Sequence, residues 1–328
     1  MRSTMNRLKR VSIALAILGI TLGSLLVGWF GWDRIFAAIL SVGGQGFSGY
    51  IAWQAAVFVL LGIAWWAVVP PDRRVVVFVW GRMVRDAAAS CLPFSQVGGF
   101  VMGARAVVLC GVPSPLASIS TVVDLTAEFV AEILFLIFGL VILMGHGNDM
   151  PMALPISIGV AMALLAGLIM MRLQRFTAPL FIRLGRGLLG RWFAVGGQHG
   201  ADSDLADMYS HTGRFAIGTL LHLLGWGAKG AGNWIAFRLL GHPIDITSAL
   251  AIEALLHAML AAAVVVPGYA GVQEAGYVGL GSLFGAAPEI SLSVSLLRRA
   301  RDLALGLPIL LAWQAVEMLA WSGKASKP

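Results

Sequence analysis

Apolar residues run almost without interruption through six stretches of the chain: 11–30, 50–69, 116–144, 153–171, 214–240 and 288–318. Each approaches or exceeds the roughly 20 apolar residues that a helix needs to cross the hydrocarbon core of a bilayer, so each is predicted as a spanning helix. Two further apolar blocks, 75–110 and 247–285, behave differently. The first is interrupted near its middle by "CLPFSQVGG" (91–99) and the second by "VPGYAGVQE" (266–274). Proline ends a helix by removing a donor and crowding the preceding turn, and glycine lets the chain reverse. Irregular backbone at membrane depth is tolerated only where protein or a water-filled cavity satisfies it. The two blocks are therefore predicted as helical hairpins, broken at Pro93, Gly98 and Gly99 and at Pro267, Gly268 and Gly271. In the second, a half-helix starts near Val272 or Gln273. Glu274 then falls in its first turn, where the positive end of the helix dipole favours a carboxylate. Two roles stay open for Glu274, a cap of that helix or a member of a substrate path.

The distribution of Lys and Arg orients these elements, because basic residues near span ends stay on the cytoplasmic side. Arg2, Arg7, Lys9 and Arg10 precede the first span, which has no small-x-small cleavage site after it and reads as uncleaved. "PPDRR" (70–74), the stretch holding Arg172, Arg175, Arg183, Arg186 and Arg191, and the tail with Lys324 and Lys327 are also basic. All of these are placed in the cytoplasm, both termini included. The connections 31–48, 145–152 and 241–246 hold Arg34 as their one Lys or Arg and suit the outer side. These placements balance only if each hairpin enters and leaves on one face, block 75–110 from the cytoplasm and block 247–285 from outside. The resulting plan is an all-α membrane protein made of two inverted-topology repeats. Each repeat has two spans, a broken re-entrant hairpin and one long helix, residues 1–152 and 153–328. A basic amphipathic segment, 172–213, lies on the cytoplasmic face of the second. Such repeats, with broken helices meeting near the bilayer midplane, are a plan used by transporters. An offset of 174 residues agrees with it, setting Pro93 on Pro267, Gly111 on Gly285, Asp124 on Arg298 and Glu128 on Asp302.

Composition strengthens the membrane reading. The chain of 328 residues is 59% hydrophobic and only 12% charged, about half the charged share of a soluble domain. The net charge of +7 is accounted for by the cytoplasmic connections, so no nucleic-acid partner is expected. Cys91 and Cys110 are the only cysteines, and neither a disulfide framework nor a metal site is expected from them.

What remains to explain is charge inside the spans, where ionisable groups are costly and face protein or water. Asp124, Glu128 and Glu132 share one face of 116–144, at i, i+4 and i+8. Arg298, Arg301 and Asp302 share a face of the last helix, with Arg299 a quarter-turn away. If the halves pack about a pseudo-twofold axis, the two stripes approach each other. They form either a salt-bridge network that docks the halves or a polar chamber for a lipid headgroup, and the two are compatible. Arg82, Arg85 and Asp86 lie on the first hairpin arm and Arg105 on its return arm. Arg82 either contacts a headgroup or snorkels to the interface, the second being favoured. Lys229 and Asn233 share a face of 214–240. Glu253 and His257 form an i, i+4 pair able to relay protons, with no third ligand in view for a metal.

The segments "LPFSQVGGFVMGARAVVLCGVP" (92–113), "VPGYAGVQEAGYVGLGSLFG" (266–285) and "SLLRRARDLALGLPILLAWQ" (295–314) resemble hopanoid-associated membrane proteins of the HpnL type. Those proteins belong to the lysylphosphatidylglycerol synthase transmembrane superfamily, which includes the flippase portion of the multiple peptide resistance factor. The pattern Pro267, Gly268, Gly271, Glu274 resembles the superfamily at large, and "SLLRRARD" resembles the hopanoid-associated branch. The resemblance implies a bacterial inner-membrane protein that moves hopanoids toward the outer membrane, with a periplasmic acceptor as a possible partner. It brings no aminoacyl-transferase domain, so lipid aminoacylation is not expected. No cofactor is expected either: the chain has no G-x-x-x-x-G-K-[ST], no G-x-S-x-G and no H-E-x-x-H. A lipid carrier is therefore the leading expectation. The alternatives are a flippase for an anionic or aminoacylated glycerophospholipid or a glycolipid, and a non-catalytic subunit of a lipid-processing complex. The expected path residues are Asp124, Glu128, Arg298, Arg301, Asp302, Glu274, Arg105 and Arg82.

Overall fold

A computed structural model describes residues 32–92, 95–145, 211–263, 269 and 271–325. The expected spans 11–30 and 153–171, nearly all of segment 172–213, and Pro93, Pro267 and Gly268 lie outside the described residues. Within them the chain is helical throughout, in eight helices: α1 (Trp32–Ala67), α2 (Val75–Cys91), α3 (Ser95–Leu109), α4 (Ser114–Gly145), α5 (Thr212–Leu239), α6 (Ile246–Ala262), α7 (Val272–Leu283) and α8 (Pro288–Ala325). Three stretches, Ala37–Ala67, Ser114–Gly145 and Pro288–Ala320, are long and apolar enough to cross a membrane.

Local sequence explains most of the boundaries. The turn after α1 holds Pro70 and Pro71 and is pinned by the Trp66 indole N–H, which donates to the Arg73 carbonyl at 2.7 Å. Asp245 caps α6 by accepting the Ser248 amide at 2.9 Å. Pro288 opens α8, where its missing N–H costs nothing. The stretch 31–48, expected as an outer connection, is instead helical from Trp32 onward. Gly43, at φ 72° and ψ 162°, is the kink that separates its two parts.

The break residues divide. Gly271 is at φ 79° immediately before α7, as its place after the proline led one to expect, and α7 starts at Val272. Gly98 and Gly99 do not lie at the first break: both fall inside α3. For Gly99 the neighbourhood shows why glycine stands there. A Cβ on Gly99 would meet the Arg85 carbonyl oxygen at 2.7 Å, and one on Gly103 would meet the Gly81 carbonyl oxygen at 2.9 Å. These glycines let α2 and α3 lie backbone to backbone. At Gly271 a side chain would meet open space but would be held in the left-handed region, which costs an L-residue about 1–2 kcal/mol. Gly271→Leu should lower the detergent melting transition accordingly, while Gly98→Leu, also in open space but helical, should lower it less.

The two sets of four helices pack in matching ways. In the first, α2 lies on α1 and α3, and α3 reaches α4; in the second, α6 lies on α5 and α7, and α7 reaches α8. Across the sets, α4 packs on α5 and α6, α8 packs on α1 and α2, and α1 crosses α5. Exchanging α1–α4 for α5–α8 maps these contacts onto themselves. The turns Gly111 (φ 94°) and Gly285 (φ 79°), which lead into the two long helices, share a left-handed backbone. Apolar clusters hold each set: Trp65, Phe78, Val107 and Ile119 in the first, Tyr277, Leu256, Leu280 and Leu297 in the second. The outer faces are apolar as well, with Leu134 and Val141 on α4, Leu220 and Leu224 on α5, and Leu311 and Leu319 on α8 exposed.

Candidate functional site

Between these clusters the interior is charged. On α2, Arg82 and Arg85 stand one turn apart and face Asp124 and Glu128 on α4. Arg82 makes a two-pronged pair with Glu128, at 3.1 Å and 2.6 Å, and its Nε donates to Asp86 at 2.9 Å. Arg85 donates to Asp124 at 2.8 Å and also to Glu128. The guanidinium of Arg85 lies 4.4 Å from the centre of the Phe100 ring on α3. His222 of α5 lies 2.8 Å from the second oxygen of Asp124, so this cluster reaches into the other set of helices. Arg82 does not snorkel: its side chain is 1% exposed. The reason is its partners, since two carboxylates on α4 and one a turn along α2 offset the cost of removing it from water.

The second cluster repeats the plan with the signs exchanged. Here the arm α6 supplies the acid, Glu253, and the long helix α8 the base, Arg298, 2.5 Å apart. Asn233 of α5 donates to Glu253 at 2.7 Å and accepts the Tyr277 hydroxyl at 2.7 Å, and Arg298 donates to that hydroxyl at 3.0 Å. Arg301 pairs with Asp302 at 2.7 Å and reaches into the first set of helices, donating to the Tyr50 hydroxyl at 3.0 Å. Arg299 holds Glu274 at 3.0 Å, while the other oxygen of Glu274 accepts the Gly271 amide at 2.9 Å. Glu274 therefore caps α7 and ties it to α8 at once. Charge-assisted, two-pronged contacts of this kind are the strong ones. One of them, Arg105 on α3 to Glu317 on α8 at 3.1 Å and 2.9 Å, crosses between the sets.

Two acid–base stripes were expected to meet each other. The structure instead pairs Asp124 with Arg85 and His222, and Arg298 with Glu253 and Tyr277. Asp124 and Glu128 on α4 and Arg298 on α8 each find a partner on their own hairpin arm, which the sequence pattern could not show because arms and long helices both carry charge of either sign. The sequence sets Glu253 beside His257 and Asn233 beside Lys229, and shows Arg85 without its facing partner. His222, Tyr277, Tyr50 and Glu317 had not been singled out, and an unpaired polar residue within an apolar run was the available signal for each.

Several buried polar atoms have no hydrogen-bond partner among the described residues: Glu253 Oε1, His257 Nδ1, His222 Nδ1, Trp226 Nε1 and Gln54 Oε1. Trp226 sits where α4, α5 and α6 meet, stacked 6.3 Å from Phe135 and edge-on to the His257 ring at 4.1 Å. The Lys229 ammonium lies 4.0 Å from the centre of the Trp226 ring. Among the described residues no group of three or more His, Cys, Asp or Glu is arranged to hold a metal ion.

An apolar exterior around a buried, hydrogen-bonded ionic interior defines a helical membrane protein whose polar groups face one another rather than lipid. The family model of the lysylphosphatidylglycerol synthase TM region matches residues 14–309, and the chain belongs to that family. No curated protein and no solved structure matches it.

Proposed function

We propose that this protein is a bacterial inner-membrane lipid translocase whose cargo is a hopanoid moved toward the outer membrane. Membership of a family of lipid-related membrane regions supports this, but the observation that carries it is the interior. A carrier for a lipid needs a polar path for the headgroup beside an apolar surface for the hydrocarbon part. The charged core with its unpartnered Glu253, His257 and Trp226 atoms supplies the first, and the exposed leucines of α4, α5 and α8 supply the second. In this reading the two sets of helices are inverted repeats with cytoplasmic termini, and stretches 92–99 and 267–274 dip into the membrane from opposite faces. Path residues are Asp124, Glu128, Arg298, Arg301, Asp302, Glu274, Arg105 and Arg82, and a periplasmic protein accepts the lipid. The chain carries lipid rather than altering it.

A second reading rests on the fact that the interior arginines already hold carboxylates. The network then serves docking of the helices, and the chain acts as a non-catalytic subunit of a lipid-processing complex. Liposomes reconstituted with the purified protein and a chemically trapped hopanoid separate the two. Exchange between leaflets is expected for the translocase, and its absence in folded protein leaves the subunit reading. Topology gives an independent check. In a Cys91→Ser background the exposed Cys110 should react with an impermeant maleimide only from the cytoplasmic side. A cysteine at Ala287, after the corresponding turn, should react only from the periplasmic side. Labelling of both from one side would overturn the inverted arrangement.

A further inference from the structure

One pair of interior charges stands apart from the network. Each of Arg82, Arg85, Arg105, Arg298, Arg299 and Arg301 is in contact with a carboxylate. Lys229 on α5 and Glu132 on α4 are in salt-bridge contact with nothing among the described residues. Both are half-buried, and Glu132 stands between Ala131 and Phe135, which pack with Trp226. Glu132 and Lys229 are near enough to act on each other electrostatically, yet they do not touch. Lys229 also feels Asp86, Arg82 and Glu128 on one side and Glu253 on the other, which puts it between the two clusters. The floor beside it is the Trp226–His257 edge contact, where Trp226 is 2% exposed and its indole N–H is unpartnered.

A carboxylate and an ammonium on packed helices would ordinarily close into an ion pair, because one alone in a low-dielectric interior is costly. A gap between them is complementary to a guest that is itself dipolar.

We propose that Glu132 and Lys229 receive a lipid headgroup carrying a primary ammonium next to an oxygen acceptor, the ammonium on Glu132 and the acceptor oxygens on Lys229 and the Trp226 N–H. This rests on the translocase reading above for why a lipid enters the interior, but binding can be measured without transport. Two sources share the chemistry: a phosphoethanolamine glycerolipid, and a triterpenoid bearing an amino-polyol side chain.

The test is retention of added lipid by the full chain in detergent, read by native mass spectrometry. The probes are phosphatidylethanolamine, phosphatidylglycerol, an amino-polyol hopanoid and the same hopanoid without the amine. Wild-type protein should retain at least one amine-bearing probe about tenfold better than its amine-free counterpart, the effect of one charge-assisted hydrogen bond. Which pair shows the difference identifies the source. Glu132→Gln, close in shape, should erase the preference for the amine, and Lys229→Met should weaken retention of the phosphate or polyol. Val59→Ala on the exposed face of α1 should change neither. Equal retention of amine-bearing and amine-free probes, or a preference that survives Glu132→Gln in protein eluting as the wild type does, overturns the site. If the preference and its loss are seen while liposomes show no leaflet exchange, the site stands and the translocase reading falls.

Discussion

Replacing Glu128 with alanine should nearly abolish the recovery of folded protein. Glu128 accepts both prongs of Arg82 and a further bond from Arg85, and those two side chains are 1% and 6% exposed. Removing the carboxylate leaves two guanidinium groups to share Asp124 and Asp86. Stranding one partner of a buried pair costs about 3–5 kcal/mol, a large share of the roughly 5–15 kcal/mol that holds a typical domain. Elution profile and melting transition in detergent provide the measurement. Glu128→Gln, which keeps the shape and one acceptor oxygen, should fall between wild type and alanine. If Glu128→Ala eluted and melted as the wild type does, the α2–α4 network would not hold these helices together, and its role in either functional reading would be lost.

How much of this was legible in the sequence follows from what each signal encodes. Hydrophobic runs register burial in lipid or protein, so α4 and α8 were plain from 116–144 and 288–318. The same runs fix no partner. A run such as 214–240 registers as apolar whether it faces lipid or protein, and α5 does both: Leu220 and Leu224 are exposed while His222 is fully buried against Asp124. Gly271 was readable because a proline, a turn and a following helix leave few conformations for the residue between them. Gly99 falls inside α3 and not at the break because glycine that reverses a chain and glycine that admits a neighbouring backbone look identical in one dimension. The α1 helix was shortened in the reading for the same reason: "SVGGQGFSG" resembles a loop by composition, yet a single kink at Gly43 accommodates it. Charge was legible as a list of interior residues but not as a wiring diagram. Arg82 illustrates the difference. Its long side chain, near the start of an arm, fits a snorkelling role by position alone, and only the facing carboxylates of α4 decide against it.

That wiring makes a sharp prediction for charge exchange. Asp124 and Arg298 stand equally far into their long helices, α4 and α8, and carry opposite charge, so a swap between them looks conservative. It should fail. Arginine at 124 would face Arg85 and His222, and aspartate at 298 would face Glu253 and the Tyr277 hydroxyl, with like charges in low dielectric at both places. The two changes act at different clusters and should add to within about 0.3–0.5 kcal/mol, making the double variant worse than either single one. The exchange that should succeed is Glu253→Arg with Arg298→Glu, because these two touch each other across the α6–α8 boundary. Each single change there sets two like charges together; Glu253→Arg also takes the acceptor from Asn233, and Arg298→Glu takes the donor from the Tyr277 hydroxyl. The double variant restores one attraction, so a recovery of part of the folded yield is expected, short of wild type because the Asn233 and Tyr277 bonds are not rebuilt. Measured by yield and melting transition, a coupling of about 1 kcal/mol or more for Glu253 with Arg298, against none for Asp124 with Arg298, is the expected pattern. Rescue by the Asp124–Arg298 swap would mean that the long helices face each other directly and that each hairpin arm is not the partner of its own long helix. Recovery of yield by the Glu253–Arg298 exchange also prepares the functional test. If leaflet exchange returns with it, the pair fixes structure; if leaflet exchange stays low in folded protein, the direction of that charge pair belongs to the path of the headgroup.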